Sequence, residues 1–171
     1  IADLAPAAAA NAEMERKLAS ELAGEELDGA DWPYWQARRR EEELSIDEAE
    51  LRKYFPLEQV LVDGAFYAAN LLYGITVARR EDLRAYRDDV DVWEVKEADG
   101  TGIGLLLTDY HARPSKRGGA WMSSFVDQSH LRGTRPVVVN VMSLSSELLT
   151  IDEVTTVFHE FGHALHGLLS D

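Results

Sequence analysis

Residues 159–163 read His-Glu-Phe-Gly-His, and no other part of the sequence is as well suited to chemistry. Two histidines four positions apart on an α-helix project from one face, one turn apart. Their imidazole nitrogens can then bind one Zn²⁺ with tetrahedral geometry. Glu160 lies beside the pair and can accept a proton from a metal-bound water. The pattern therefore predicts a zinc site with His159 and His163 as ligands and Glu160 as general base.

The residues around this motif carry the signals of a helix that must position it. Thr150 followed by Glu153 is a capping box, in which each side chain bonds the backbone amide of the other residue. Apolar residues then recur at the spacing of a packed helix face, namely Val154, Val157, Phe158, Phe161, Leu165, Leu168 and Leu169. Gly162 weakens a helix by about 1 kcal/mol relative to alanine, and its small size would let a neighbouring backbone come close. We therefore predict a metal-binding helix over residues 150–171.

The third zinc ligand is expected outside this helix. His166 lies seven residues beyond His159, or about 10 Å along the helix axis, which is too far to share one ion easily. We predict that His166 supports the site from behind the ligands or simply packs. Catalytic zinc sites of this kind combine two histidines and one glutamate with a water in the fourth position. Asp171, two turns past His163, is a weak candidate.

Composition and charge limit the classes of partner. The 171 residues include 17 basic and 31 acidic ones, giving a formal net charge of −14. This charge argues against nucleic acid and against an anionic membrane as partners. The sequence has no cysteine and therefore no disulfide framework, so a reducing cytoplasm fits. The chain starts at Ile1 and stops just after the motif, from which we expect a fragment or a processed product.

Residues 1–74 are predicted to be mainly helical. Four segments carry helix signals, namely residues 2–23, 31–43, 45–55 and 57–73. The third is expected to open with a capping box formed by Ser45 and Glu48. The fourth is expected to be largely buried, with Leu72 on its packed side, and to end at Gly74.

Residues 75–142 are predicted to form a small sheet with loops. Three segments carry strand signals, namely residues 90–95, 103–109 and 137–141. An Asp-Gly turn at Asp99 predicts that the first two form a hairpin. Gly118 and Gly119 lead into a short extended piece. Beside a peptidase cleft such glycines would let a substrate strand pair with the backbone, although a plain turn accounts for them equally well.

Six stretches follow a pattern that extends beyond the zinc motif. They are residues 54–57, 66–70, 116–122, 125–128, 152–156 and 159–166. Together they resemble the thimet oligopeptidase family of zinc peptidases. The similarity runs over about residues 25–171 and is strongest to the bacterial peptidyl-dipeptidase (dipeptidyl carboxypeptidase) branch.

The resemblance implies a mainly α fold with a small β-sheet (α+β), in which residues 1–171 form one partial domain of a zincin-like catalytic domain. It implies zinc-dependent hydrolysis of short peptides, with release of C-terminal dipeptides. The family's third ligand and its transition-state donors follow the motif, so the remainder of the catalytic domain is expected as a partner. Without that remainder, the chain would be a catalytically incomplete piece that binds only metal or a partner.

Residue roles carry over from the family onto matching positions. The resemblance implies His159 and His163 as zinc ligands and Glu160 as general base. It also implies that the backbone near Gly119 and Ala120 forms the edge along which the substrate lies. The link between residues 144 and 148 looks shorter than the family's Pro-rich loop at this point.

Overall fold

The computed structural model describes residues 4–44 and 48–170. Ser45 lies outside these ranges, and so does the capping box predicted there. The chain divides into two compact units, residues 1–50 and residues 51–171. Within the described ranges, no helix combines the length and the apolar character needed to cross a bilayer.

The first unit is built on two helices, α1 (Ala5–Ala23) and α2 (Trp32–Leu44). Helix α1 ends at Gly24, whose φ of 76° is the left-handed conformation that terminates many helices. The two helices contact each other, and the Gln36 amide donates to a Glu15 carboxylate oxygen at 3.1 Å. Both helices predicted for this part of the chain are confirmed.

Four helical segments follow, the first of which spans the boundary at residue 50 while the others belong to the second unit. They are α3 (Glu48–Arg52), α4 (Leu57–Gln59), a π-helical segment (Val60–Phe66) and α5 (Tyr67–Tyr73), which ends at Gly74. The helix predicted between Leu57 and Gly74 is therefore confirmed, except that its middle is π-helical. The i to i+5 bonding of that segment shifts the angular positions of the residues that follow. Leu72, predicted on the packed side, is accordingly 75% exposed.

A five-stranded mixed sheet forms the centre of the second unit. Its strands are β1 (Thr76–Arg79), β2 (Asp91–Lys96), β3 (Gly102–His111), β4 (Trp121–Val126) and β5 (Val137–Leu144). Their order in space is β1-β2-β3-β5-β4, and only the β3–β5 pair is parallel. The predicted β2–β3 hairpin and the α+β fold class are confirmed. Strand β1, which is short and mostly exposed, carries no strong sequence signal and was not predicted.

Helix α6 (Ile151–Leu169) packs across one face of this sheet. Its predicted capping box is confirmed, because the Thr150 hydroxyl accepts from the Glu153 amide at 3.0 Å and the Glu153 carboxylate accepts from the Thr150 amide at 2.8 Å. The buried stripe of the helix consists of Val157, Phe161, Ala164 and Leu168. Phe158 and Leu169, predicted on this face, lie beside the stripe and are about 40% exposed.

Aromatic packing fixes the middle of α6 against the rest of the second unit. Phe161 contacts Phe66 with ring centroids 5.2 Å apart, and Phe66 contacts Trp93 edge-on at 5.0 Å. These three rings connect α6, the π-helical segment and β2. Since such pairs contribute about 0.5–1.5 kcal/mol beyond burial, they stabilise the packing of α6 in the core.

Candidate active site

The two histidines of the motif point toward one common position. Their Nε2 atoms are 3.1 Å apart, and the ring planes meet at 80°. Two nitrogens that each lie about 2 Å from a tetrahedral zinc are separated by roughly 3.3 Å. The same distance also suits a hydrogen bond between the rings. His159 and His163 are both exposed on α6 and fit a zinc ion at its solvent-facing surface.

A complete set of three ligands is not present in the described part of the chain. Over residues 4–44 and 48–170, no third histidine, cysteine, aspartate or glutamate joins the pair. His166 is exposed in the last turn of α6 and lines a cavity of about 320 Å³ with Gly162 and Tyr73. Its supporting role stays a prediction, and Asp171 lies outside the described residues.

Glu160 has a different environment from the two histidines. Its side chain is 7% exposed, and its Oε2 has no hydrogen-bond partner in the described part of the chain. A buried carboxylate oxygen without a donor is costly, and such atoms often belong to functional groups. Tyr110, whose hydroxyl likewise has no partner there, is buried nearby on β3. Burial, and then the charge of Glu160, raise the pKa of Tyr110 above its usual value.

Asn140 is a site residue that the sequence interpretation missed. It lies on β5, is fully buried, and its Nδ2 donates to the backbone carbonyl of Glu160 at 2.6 Å. A signal was present, because Asn140 interrupts the valine-rich run 137–141 with a polar side chain in the interior of a sheet. The partner could not be identified, since it lies 20 residues away.

A second missed residue, Asp109, organises the loop between β3 and β4. Its buried carboxylate accepts two bonds from the Arg113 guanidinium at 2.6 and 2.7 Å. It also accepts from Lys116 Nζ at 2.8 Å and from the Tyr86 hydroxyl at 2.7 Å. Burial by itself would raise the pKa of Asp109, but these bonds lower it below its usual range. The loop is thus tied to the sheet through a charged cluster.

Gly119 and Ala120 lie between that cluster and the edge of the sheet. Gly119 has a φ of 105°, which favours glycine, and it is exposed. Ala120 is half-buried and packs against the core. Strand β4 follows at the sheet edge, and its Met122 lies against Gly167 of α6. The structure therefore places both residues at the start of an edge strand that contacts the motif helix.

Two glycines in the second unit differ in the space that an added Cβ atom would find. A Cβ at Gly104 would lie 2.5 Å from the Pro136 carbonyl oxygen, whereas a Cβ at Gly162 would meet nothing within 4 Å in the described part of the chain. The close approach expected at Gly162 is therefore not made there. We predict that Gly162→Ala raises the free energy of unfolding by up to about 1 kcal/mol, because alanine favours the helix. Gly104→Ala should lower it by about 1–3 kcal/mol through overpacking.

Denaturant unfolding of the two glycine variants checks this pair of predictions against the parent chain. A destabilised Gly162→Ala variant would contradict the open environment that the structure shows around Gly162.

Two histidines and a glutamate in the His-Glu-x-x-His order on a helix are the pattern typical of metallopeptidases, and here that helix packs on one face of a small sheet. The model of Peptidase family M3 matches residues 1–171, and the chain belongs to that family. The resemblance predicted from the sequence motifs is therefore confirmed.

Curated relatives agree with this family assignment. The chain is 44% identical to dipeptidyl carboxypeptidase of Salmonella typhimurium, over 93% of this chain and 24% of that protein. It is 45% identical to dipeptidyl carboxypeptidase of Escherichia coli, over 82% of this chain and 21% of that protein. The chain is 34% identical to oligopeptidase A of Escherichia coli, over 93% of this chain and 25% of that protein. The chain thus spans about a quarter of the length of these relatives.

Proposed function

We propose that the protein to which this chain belongs is a zinc-dependent peptidase that hydrolyses short peptides and releases C-terminal dipeptides. The observation that carries this proposal is the 3.1 Å separation between the Nε2 atoms of His159 and His163, beside the buried carboxylate of Glu160. Dipeptide release is supported by the names of the two relatives at 44% and 45% identity.

His159 and His163 would hold the ion through Nε2. When bound, zinc supplies Lewis-acid polarisation of the scissile carbonyl and a water of lowered pKa. The Glu160 carboxylate accepts a proton from the attacking water and passes it to the leaving amine. Glu160 Oε2 is buried and has no donor in the described part of the chain, so no hydrogen bond competes for its lone pairs. No third ligand joins the pair in the described part of the chain, and we propose that the remainder of the catalytic domain supplies this ligand and the donors that stabilise the transition state.

We assign the substrate's path to the edge of the sheet. The exposed backbone at Gly119 and the start of β4 can accept an extended peptide as an added strand. The Asp109 cluster and the bond from the Ser143 hydroxyl to the Arg117 carbonyl, at 2.7 Å, hold this edge in place. A peptide bound there would lie beside α6, which carries the catalytic carboxylate.

The rest of the catalytic domain is the partner we propose for an apolar surface of α5. Four large side chains there are more than half exposed, namely Tyr67, Leu71, Leu72 and Tyr73. Large apolar side chains exposed together on one short helix favour an interaction surface. We place the protein in the cytoplasm, in keeping with the absence of cysteine and with a 36% identical relative named as a probable cytosolic oligopeptidase A in Arabidopsis thaliana.

A second candidate applies to the 171-residue chain by itself. Its described residues offer two metal ligands and no third, so the isolated chain would bind zinc weakly and catalyse nothing. In that form it would be a metal- or partner-binding structural piece.

Metal removal tests both candidates with one substrate. The complete protein should release a dipeptide from a blocked chromogenic peptide, lose this activity on treatment with a chelator, and regain it when Zn²⁺ is added back. The isolated chain should be inactive throughout. Full activity of the complete protein after exhaustive metal removal would exclude the zinc mechanism, and turnover by the isolated chain would exclude the incomplete-fragment interpretation.

A further inference from the structure

We propose that Asn140 is a positioning residue for Glu160, which it fixes through the backbone. This inference rests on the proposed function of Glu160 as general base. The Asn140 Nδ2 donates to the Glu160 carbonyl at 2.6 Å, a direct bond from an interior strand of the sheet to the backbone of the proposed general base. A carbonyl oxygen has two acceptor positions, so Glu160 can accept this bond as well as the regular helical one.

The place of Asn140 in the sheet makes it a rigid anchor. Strand β5 is flanked on both sides, and Asn140 is in register with Thr108 on β3 and with Met122 on β4. Its side chain is fully buried. Only the orientation with Nδ2 toward α6 forms the bond, because the Glu160 carbonyl can only accept. The bond therefore fixes the position of the Glu160 backbone relative to β5, and with it the rotation of α6 about its axis at that residue.

Asn140 is a poor choice for stability alone. Its Oδ1 has no partner in the described part of the chain, and burying such a group is unfavourable. An apolar residue of similar size would pack between Val138 and Met142 without that penalty. A buried amide whose oxygen is unpaired is understandable if the bond from its nitrogen serves the site.

The bond matters for catalysis because proton transfer depends on sub-ångström placement. The two imidazoles share α6 with Glu160, so a small rotation of the helix moves all three groups relative to substrate held at the edge of the sheet. Asn140 joins α6 to the same sheet that presents β4. It thereby couples the position of the carboxylate to the position of the bound peptide.

The test compares Asn140→Leu with Thr108→Val in the complete protein. Leucine removes the bond to Glu160 and the orphaned oxygen together, so the variant should remain folded. We expect kcat to fall about tenfold to hundredfold, as is typical when a supporting hydrogen bond is lost, with KM and zinc content nearly unchanged. Thr108→Val is the matched control, because it removes a buried bond from Trp93 at the registered position without touching α6. It should keep its kcat.

Hydrogen exchange supplies a readout that does not require activity. In Asn140→Leu the backbone amides of residues 160–164 should exchange faster than in the wild type, while those of the β2–β3 hairpin stay protected. If the wild type hydrolyses no peptide, the proposed function fails, and this exchange pattern still decides whether Asn140 holds the helix.

Two outcomes overturn the positioning role. One is an Asn140→Leu variant with wild-type kcat and unchanged exchange in α6, and the other is an equal loss of kcat in Thr108→Val. Asn140→Asp, which replaces the donor by an acceptor, should reproduce the loss. Should both Asn140 variants fail to fold, the wild-type side-chain amide decides, because rapid exchange of the Asn140 Nδ2 protons would disprove the bond.

Discussion

Glu160→Gln is expected to lower peptide turnover by the complete protein about 10²- to 10⁴-fold, the usual contribution of a general base. Glutamine has nearly the same shape as glutamate but cannot accept the proton of the attacking water. Because the proposed ligands are histidines, zinc should remain bound, and KM should change little. Steady-state kinetics with a blocked peptide, together with zinc analysis of the same samples, measures the effect.

Asp152→Asn provides the matched control for this prediction. Asp152 is an exposed carboxylate on the same helix, in its first turn and away from the histidines. Its loss should leave turnover close to that of the wild type. If the Glu160→Gln enzyme retained normal turnover with zinc in place, the assignment of the general base would be wrong.

His163→Gln should remove zinc from the complete protein and abolish its activity. The two Nε2 atoms converge on one position, so losing one leaves the ion with too few protein ligands. We expect zinc affinity to fall by more than about 100-fold. Losing a residue that only hydrogen-bonds to a metal ligand lowers affinity by at most about that factor. Metal content after dialysis against a graded chelator buffer gives the affinity, and the peptide assay gives the loss of turnover.

Two further histidine variants show whether the loss of zinc is specific to His163. His111→Gln, on β3 and about 40% exposed, should keep full zinc content. His166→Gln separates the two roles predicted for that residue, since a supporting role lowers affinity about 10- to 100-fold and simple packing does not. Full zinc retention in His163→Gln would mean that the paired rings do not hold the metal.

Most of the local structure was predictable because the interactions that specify it are short in sequence. The capping box joins residues three apart, the histidine pair residues four apart, and the Asp99 turn joins two neighbouring strands. Each of these features is present in the structure. Helix ends at Gly24 and Gly74 follow from the freedom of glycine at positive φ.

Errors arose where packing overrides the local pattern. Leu72 matches an α-helical stripe, yet the π-helical segment before it changes the phase and leaves it exposed. Phe158 matches the apolar spacing of α6, but the buried part of the helix follows Val157 and Phe161, and Phe158 lies outside it and stays partly exposed. Periodicity reports which residues share a face and does not report how wide a face the neighbouring element covers.

By itself, the sequence determined the motif helix, its cap, the common face of His159 and His163 and the family, since these depend on residue types a few positions apart. Only the tertiary structure showed that the Asn140 side chain reaches the Glu160 backbone, 20 residues further along the chain. The physical reason is the parallel pairing of β3 with β5, which lets β5 enter the sheet between β3 and β4. No local periodicity encodes that order, because it follows from which strands bury their apolar faces together beneath α6.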